Sequence, residues 1–425
     1  MLQDMNQPHA GFAQLIHAGH QPVIMQVVPS LNGGGVEQGV VDLNAAIVAA
    51  GGRSIVVSSG GIRVPEIVRA GGEHIDMPVH SKNPIIMARN VKTLRRLIER
   101  EHVQVVHACS RAPAWSASRA VKGTHAKFVT SCHAAHNVGG NVKRYYNSAI
   151  AKGESVIAVS HFLSQYLQDN YHTDPDRITV VHRGVSMGRF HPNCVTPERL
   201  INIAKEWRVP DGAFIMVLPG RITRGKGHMC VVEALAKLGR TDIFCVFLGK
   251  EKKKSTYKEE LVAHIEAHGL GSQIRMVEHC ADMPAAYMLA NIVLSPSIEP
   301  EGFGRIPIEA QAMGRPVIAT SHGGAMETIV PDETGWLVTP NDADELRDAI
   351  DEALGLDNQQ RAILATRAMV HVAENFSLET MCAQTLDVYA ALLGVTPPKK
   401  EEKPDTANVT EQTEMTSADM MDVAI

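Results

Sequence analysis

The run Ser295-Pro296-Ser297-Ile298-Glu299-Pro300-Glu301-Gly302-Phe303-Gly304-Arg305-Ile306-Pro307-Ile308-Glu309-Ala310 places two carboxylates on either side of a glycine-bearing loop. An apolar stretch, Ile292 to Leu294, leads into it, and a helix is expected to begin near Arg305. Gly302 and Gly304 let the backbone N–H groups around Phe303 come close to a ligand. A helix N-terminus carries partial positive charge and free N–H donors, which suit phosphate. Glu309, about one turn inside that helix, can accept two hydrogen bonds, as the vicinal hydroxyls of a ribose would offer. Glu301, on the loop, can hold sugar hydroxyls. The bland alternative is an ordinary strand, loop and helix with solvated acids. The coincidence of glycines, helix start and both acids weighs against it.

A second constellation is Pro219-Gly220-Arg221-Ile222-Thr223-Arg224-Gly225-Lys226-Gly227. Arg221 and Lys226 flank a turn ahead of a helical pattern, and such a pair can neutralise a diphosphate, Arg as a fork and Lys as a point charge. Charged loops are common, so this one gains weight only beside the acidic motif. A third is Asn32-Gly33-Gly34-Gly35-Val36-Glu37. Its spacing is not G-x-G-x-x-G, and no ribose-binding acid closes the second strand. Gly34 and Gly35 therefore read as a tight loop admitting a phosphate or a sugar. Two Asp-x-Asp pairs, Asp174/Asp176 and Asp342/Asp344, read as a turn and a helix cap, and no metal site is expected.

These loops need scaffolds. Short β-branched runs alternate with helical patterns: Val23 to Val28, Ser54 to Ser58, Val103 to His107, Lys127 to Thr130 and Ser155 to Val159. A polar stretch with Pro192, Pro197 and Pro210 interrupts the rhythm. It restarts at Ala213 to Leu218, Ile243 to Leu248, Ile274 to Val277, Ile292 to Leu294 and Pro316 to Ala319. This predicts an α/β protein with two Rossmann-like, doubly wound domains facing across a cleft. The expected divisions are an N-terminal extension (1–20), a first domain (21–190), a linker (191–212), a second domain (213–375), a C-terminal helix packing back on the first (376–395) and a disordered tail (396–425).

With 425 residues, 44% apolar and 20% charged, disorder over most of the chain is excluded. Net charge is −5, too mild for a nucleic-acid partner. Residues 1–200 hold 20 Lys+Arg against 13 Asp+Glu, and the remainder 21 against 33, so a basic half precedes an acidic one. Seven scattered cysteines without a C-x-x-C pair read as reduced thiols. No apolar run is long enough to span a bilayer, and the first twenty residues do not resemble a secretory signal, so the cytoplasm is expected.

Taken together, the motifs resemble those of family 4 retaining glycosyltransferases, which have the GT-B architecture. Glu301 and Glu309 match the family's Glu-x-x-x-x-x-x-x-Glu signature. Gly220-Arg221 with Lys226-Gly227 matches its basic loop, and Gly34-Gly35-Val36-Glu37 its N-terminal glycines. Gly323-Gly324-Ala325-Met326-Glu327 and Gly335-Trp336-Leu337-Val338 also fit, and the likeness runs from about Val23 to Leu393. It implies a nucleotide diphosphate sugar as donor, bound by the second domain, and a glycan or glycolipid acceptor bound by the first. Arg221 and Lys226 would hold the diphosphate and Glu309 the ribose. Glu301, with Gly302, Phe303 and Gly304, would hold the transferred sugar, with Gly34 and Gly35 close to the phosphates. His133, in Thr130-Ser131-Cys132-His133, matches a histidine near the sugar. Transfer would retain the anomeric configuration by front-face attack, without a protein nucleophile, metal or other cofactor.

Two departures stand out. The family often has Asn-Gly-Val-Asp where this chain has Arg183-Gly184-Val185-Ser186, and a glycine where it has Ala134. A weaker likeness, through Ser81 to Pro84, Ser110 to Pro113 and Glu309 to Gly314, is to enzymes of lipopolysaccharide-core and other surface-glycan assembly. The competing readings are a nucleotide-sugar epimerase of the same architecture and a non-catalytic glycan-binding protein. Arg89, Lys92, Arg96 and Arg100 share one face of an expected helix, with Val91, Leu94 and Ile98 on another. Such a face suits peripheral docking on the anionic inner surface of the cytoplasmic membrane, or is simply solvated.

Overall fold

A computed structural model of the chain describes residues 10–17, 19–136, 139–251 and 255–395. The tail read as disordered lies outside them.

The first seven strands are β1 (Val23–Val27), β2 (Arg53–Ser58), β3 (Glu73–Asp76), β4 (Val105–Ala108), β5 (Lys127–Cys132), β6 (Ser155–Ala158) and β7 (Ile178–Val180). They form one parallel sheet in the order β3-β2-β1-β4-β5-β6-β7. β8 (Phe214–Pro219), β9 (Ile243–Leu248), β10 (Ile274–Val277), β11 (Ile292–Ser295), β12 (Val317–Thr320) and β13 (Trp336–Val338) form a second parallel sheet, ordered β10-β9-β8-β11-β12-β13. Central strands such as β4 and β9 are buried along their whole length, because helices cover both faces, and so they read as unbroken apolar runs. The strand order reverses between β1 and β4 and again between β8 and β11. Loops beyond the carboxyl ends of strands at such reversals are where open α/β sheets bind ligands. The three glycine-rich loops follow β1, β8 and β11.

One apolar core joins the halves: Val159 and Leu163 from the first pack in the same cluster as Phe303 and Ala325 from the second. The polar stretch between the sheets is not a plain connector. It carries helix Pro197–Trp207, whose Trp207 is fully buried, and Arg199 pairs with Asp282 at 2.6 Å. At the start of the described chain, helix Ala10–His17 buries Phe12 completely beside Tyr389 of helix Leu378–Leu392. That last helix returns to the first half after helix Asn358–Asn375 has packed on the second. The chain thus passes between the halves twice, and the two passages touch. Val185 N–H donates to the Phe376 carbonyl at 2.9 Å, and Leu378 N–H to the Val185 carbonyl at 2.9 Å. A Cβ on Gly184 would meet the backbone of Ser377 and Leu378, so only glycine allows this approach. No helix among the described residues is long and apolar enough to cross a membrane.

Candidate active site

The second half's wall is built by the loops after β8 and β11. After β8 the chain turns through Arg224–Lys226 into helix His228–Leu238. Ile298 N–H donates to the Gly225 carbonyl at 2.9 Å, locking this loop to the one after β11. There Lys226 Nζ lies 2.5 Å from Glu301 Oε1, which also accepts from Ser297 Oγ. Burial pushes the Glu301 carboxyl up, but the Lys226 charge and the hydrogen bonds from Lys226 and Ser297 outweigh it, holding the group below its ordinary range. Helix Arg305–Ala312 follows with Gly304 at its N-cap and no side chain capping it, so its first N–H groups are unclaimed by any cap. One turn in, Glu309 is 8% exposed, and both carboxylate oxygens are engaged: Tyr287 Oη donates at 2.8 Å and Arg305 Nη2 at 2.7 Å.

Opposite stand residues of the first half. Gly34 caps helix Gly35–Ala49 without a side chain, and a Cβ on Gly35 would stand 3.3 Å from the Arg305 side chain. His133 follows β5 at the cleft, where burial first, and then the charges of Arg183, His107 and His136, hold its imidazole well below the usual range and therefore neutral. A Cβ on Gly302 would collide with the His133 carbonyl, so the loop after β11 touches the first half at a position only glycine can occupy. Ser160 Oγ donates to the Gly302 carbonyl at 2.6 Å. Further along, Glu327 reaches across from the second half. It accepts from His161 N–H at 2.8 Å and Phe162 N–H at 2.9 Å, capping helix His161–Tyr171, and meets His182 Nε2 at 2.8 Å.

Between the walls lies a cavity of about 290 Å³, bordered by Gly35, His133 and Arg183 on one side and Glu301, Phe303 and Arg305 on the other. Of the residues expected from the sequence, Gly35, His133, Glu301, Gly302, Phe303 and Gly304 meet there. Lys226 reaches it through Glu301. Glu309 sits behind Arg305, Gly34 stands beside the side chain of Glu37, and Arg221 is exposed at the start of its loop. Asp174 and Asp342 accept hydrogen bonds from the backbone two residues on, the turn and cap expected of them. Arg183, Arg305, Ser297, Tyr287 and Glu327 were missed as site residues. Glu327 left a trace as the end of a matching stretch, and Arg183 as a cation where the motif often has asparagine.

The comparisons with known proteins point one way. The model for glycosyl transferases group 1 matches residues 201–368, and that for glycosyltransferase family 4 matches residues 33–189. A crystal structure of a glycosyltransferase from Rickettsia africae is 38% identical, with a TM-score of 0.82, over 88% of this chain and 99% of that one. Among curated relatives, a D-inositol 3-phosphate glycosyltransferase of Salinispora tropica is 32% identical over 56% of this chain and 51% of its own length. A lipopolysaccharide core biosynthesis mannosyltransferase of Rhizobium leguminosarum is 29% identical over 59% and 68%. This chain spans about half the length of the first curated relatives it matches. With one family model on each half, and a solved relative followed almost end to end, the chain belongs to the family 4, group 1 glycosyltransferases and has their two-domain GT-B fold.

Proposed function

We propose that the protein moves a sugar from a nucleotide diphosphate sugar to a hydroxyl acceptor, retaining the anomeric configuration. The observation that carries this is the Lys226–Glu301 pair at the mouth of an uncapped helix, facing His133 across the cleft. Departure of a diphosphate builds negative charge, which fixed cations and helix N–H groups stabilise without reorganising. Arg221 and Lys226 supply the cations, Glu301 orients the sugar, and Glu309 holds the ribose at the helix start. Family membership supports a front-face route in which the leaving phosphate takes the acceptor's proton, so no side chain serves as nucleophile. The test is incubation with labelled UDP- and GDP-sugars, with and without a membrane extract, followed by NMR of the product. Acceptor-dependent, EDTA-resistant transfer with retention is expected. Inverted product would overturn the mechanism, acceptor-free isomerisation would make the protein an epimerase, and no turnover would leave a binding protein.

The acceptor we infer is a lipopolysaccharide or other surface-glycan precursor at the inner face of the cytoplasmic membrane. The mannosyltransferase relative supports this, and so does helix Pro84–Arg100. Arg89, Lys92, Arg96 and Arg100 are exposed along it, while Leu94 and Ile98 are buried against the sheet. Arg95 is committed elsewhere, donating to the carbonyls of Arg119, Ala120 and Lys122, and Arg100 also pairs with Glu101 at 2.7 Å. Four cations at about 1 kcal/mol each near an anionic surface hold a protein weakly. Co-sedimentation should therefore need anionic vesicles, fall with salt and weaken when the four become Gln. Indifference to such vesicles at low salt would favour a soluble acceptor.

A further inference from the structure

Arg183 and Arg305 border the same cavity from opposite halves, and each lies within range of the other's charge. Arg183 follows β7, immediately before the Gly184–Val185 contact between the two chain passages. Its guanidinium donates one hydrogen bond, Nη2 to the Gly35 carbonyl at 2.5 Å, and has no ion-pair partner within 4 Å among the described residues. A guanidinium has five N–H donors, so most of its capacity is unspent at the edge of the cavity it borders. Asp42 acts on both arginines, but only at a distance. That carboxylate accepts from Gln38 at 2.7 Å, and burial holds its pKa up. Across the gap, Arg305 is already engaged by Glu309. Burial first, then the Arg305 charge, brings the Arg183 guanidinium down to about 10, against the pull of Asp42. The two cations repel, and removing Arg183 from water without an ion-pair partner is costly. An anion between them reverses the sign of the interaction.

The same cavity is bordered by Gly35 and by the uncapped helix start, where the reading above brings a diphosphate. We propose that Arg183 adds a cation from the first half to the donor's diphosphate, and that this anion is what makes the approach of Arg183 to Arg305 favourable. The inference rests on the donor reading given under Proposed function. It assigns a role to the position where the motif departs from asparagine. It also ties stabilisation of the leaving group to closure of the two halves, since the cations that grip it come from both.

Calorimetric titration of the full chain with UDP, GDP, UMP and GMP tests this. Arg183→Gln should weaken the preferred nucleoside diphosphate on the order of 10- to 100-fold, the range of a lost charged hydrogen bond or two. It should leave the matching monophosphate unchanged, because that ligand has no second phosphate to bridge the arginines. Arg183→Lys, which keeps the charge in a buried place, should show the same split at smaller size and carries the test if the Gln variant does not fold. Unchanged diphosphate affinity overturns the proposal, including the case where only the acceptor KM rises, which would give Arg183 to an acidic group on the acceptor. Equal losses for both ligands also overturn it, as site distortion. If the wild-type chain binds neither diphosphate, the donor reading itself falls.

Discussion

The two walls of the cleft are finished to different degrees. On the second half's wall the buried charges are matched: Lys226 with Glu301, Arg305 with Glu309, and each carboxylate further tied by Ser297 or Tyr287. On the first half's wall stand a neutral histidine and an arginine with a single backbone acceptor. A matched wall is rigid and sits in its working geometry before any ligand arrives. An unmatched one is completed by what enters. The contrast suits a donor site that is pre-organised and an opposing surface that responds to occupancy.

The sharpest way to break this contrast is to unmatch the finished wall. Lys226→Ala should lower kcat by about 10²–10³, the scale of losing one preorganised electrostatic group. Some fall in melting temperature is expected as Glu301 loses its cation, so turnover is measured well below the variant's melt. Normal turnover would remove Lys226 from the site. Next comes Glu309→Gln. Its amide keeps a partner for Tyr287 but no longer offers a carboxylate to the ribose hydroxyls, so nucleoside diphosphate affinity should fall by about 1.5–3 kcal/mol, measured by titration. Here a melting shift is expected as well, because the carboxylate is buried between two donors. Affinity equal to wild type would confine Glu309 to a structural role.

A smaller and purely conformational effect is expected at Glu327, which joins the walls at their far end. Burial raises its carboxyl pKa, but the His182 and backbone hydrogen bonds prevail and hold it below the ordinary 4.5. The folded value is depressed, so the stabilisation is complete above the unfolded pKa and is lost as pH falls through the folded one. Glu327→Gln should therefore melt lower than wild type at neutral pH, and the gap should close as pH falls below the ordinary carboxylate range. A gap independent of pH would show that the ionised carboxylate is not what fastens the halves.

The sheets and the glycine-rich loops after β1, β8 and β11 were legible because long buried strands and glycine-rich turns carry strong local signals. The expected runs fall on β1, β2, β4, β5, β6 and β8 to β12, within a residue or two at each end. β3, β7 and β13 escaped notice. They are edge strands of three or four residues, and Glu73 to Asp76 alternates too briefly for a period to show. The helix Pro197–Trp207 was hidden by its prolines, although Pro197 merely occupies a first-turn position, where its missing N–H costs nothing. In the site, Glu301 and Glu309 could be read from spacing, but their partners could not. Ser297 and Arg305 are ordinary loop and helix residues until folding aims them at a carboxylate. Tyr287 comes from another helix, 22 residues away in sequence.

The ribbon formed where Val185 meets Phe376 and Leu378 has a consequence for dissecting the molecule. The first half is discontinuous in sequence: its apolar bed of Phe12, Leu43 and Ile47 is roofed by Leu386 and Tyr389, which are synthesised after the second half. A fragment ending near residue 190 would leave that bed open to water and to self-association. During synthesis the first half stays unroofed until the second has been made, so the C-terminal helix acts as a late clasp. Cutting the chain between its halves should yield two pieces that are soluble only together, and any split reporter built on this scaffold must keep the clasp with the piece it closes.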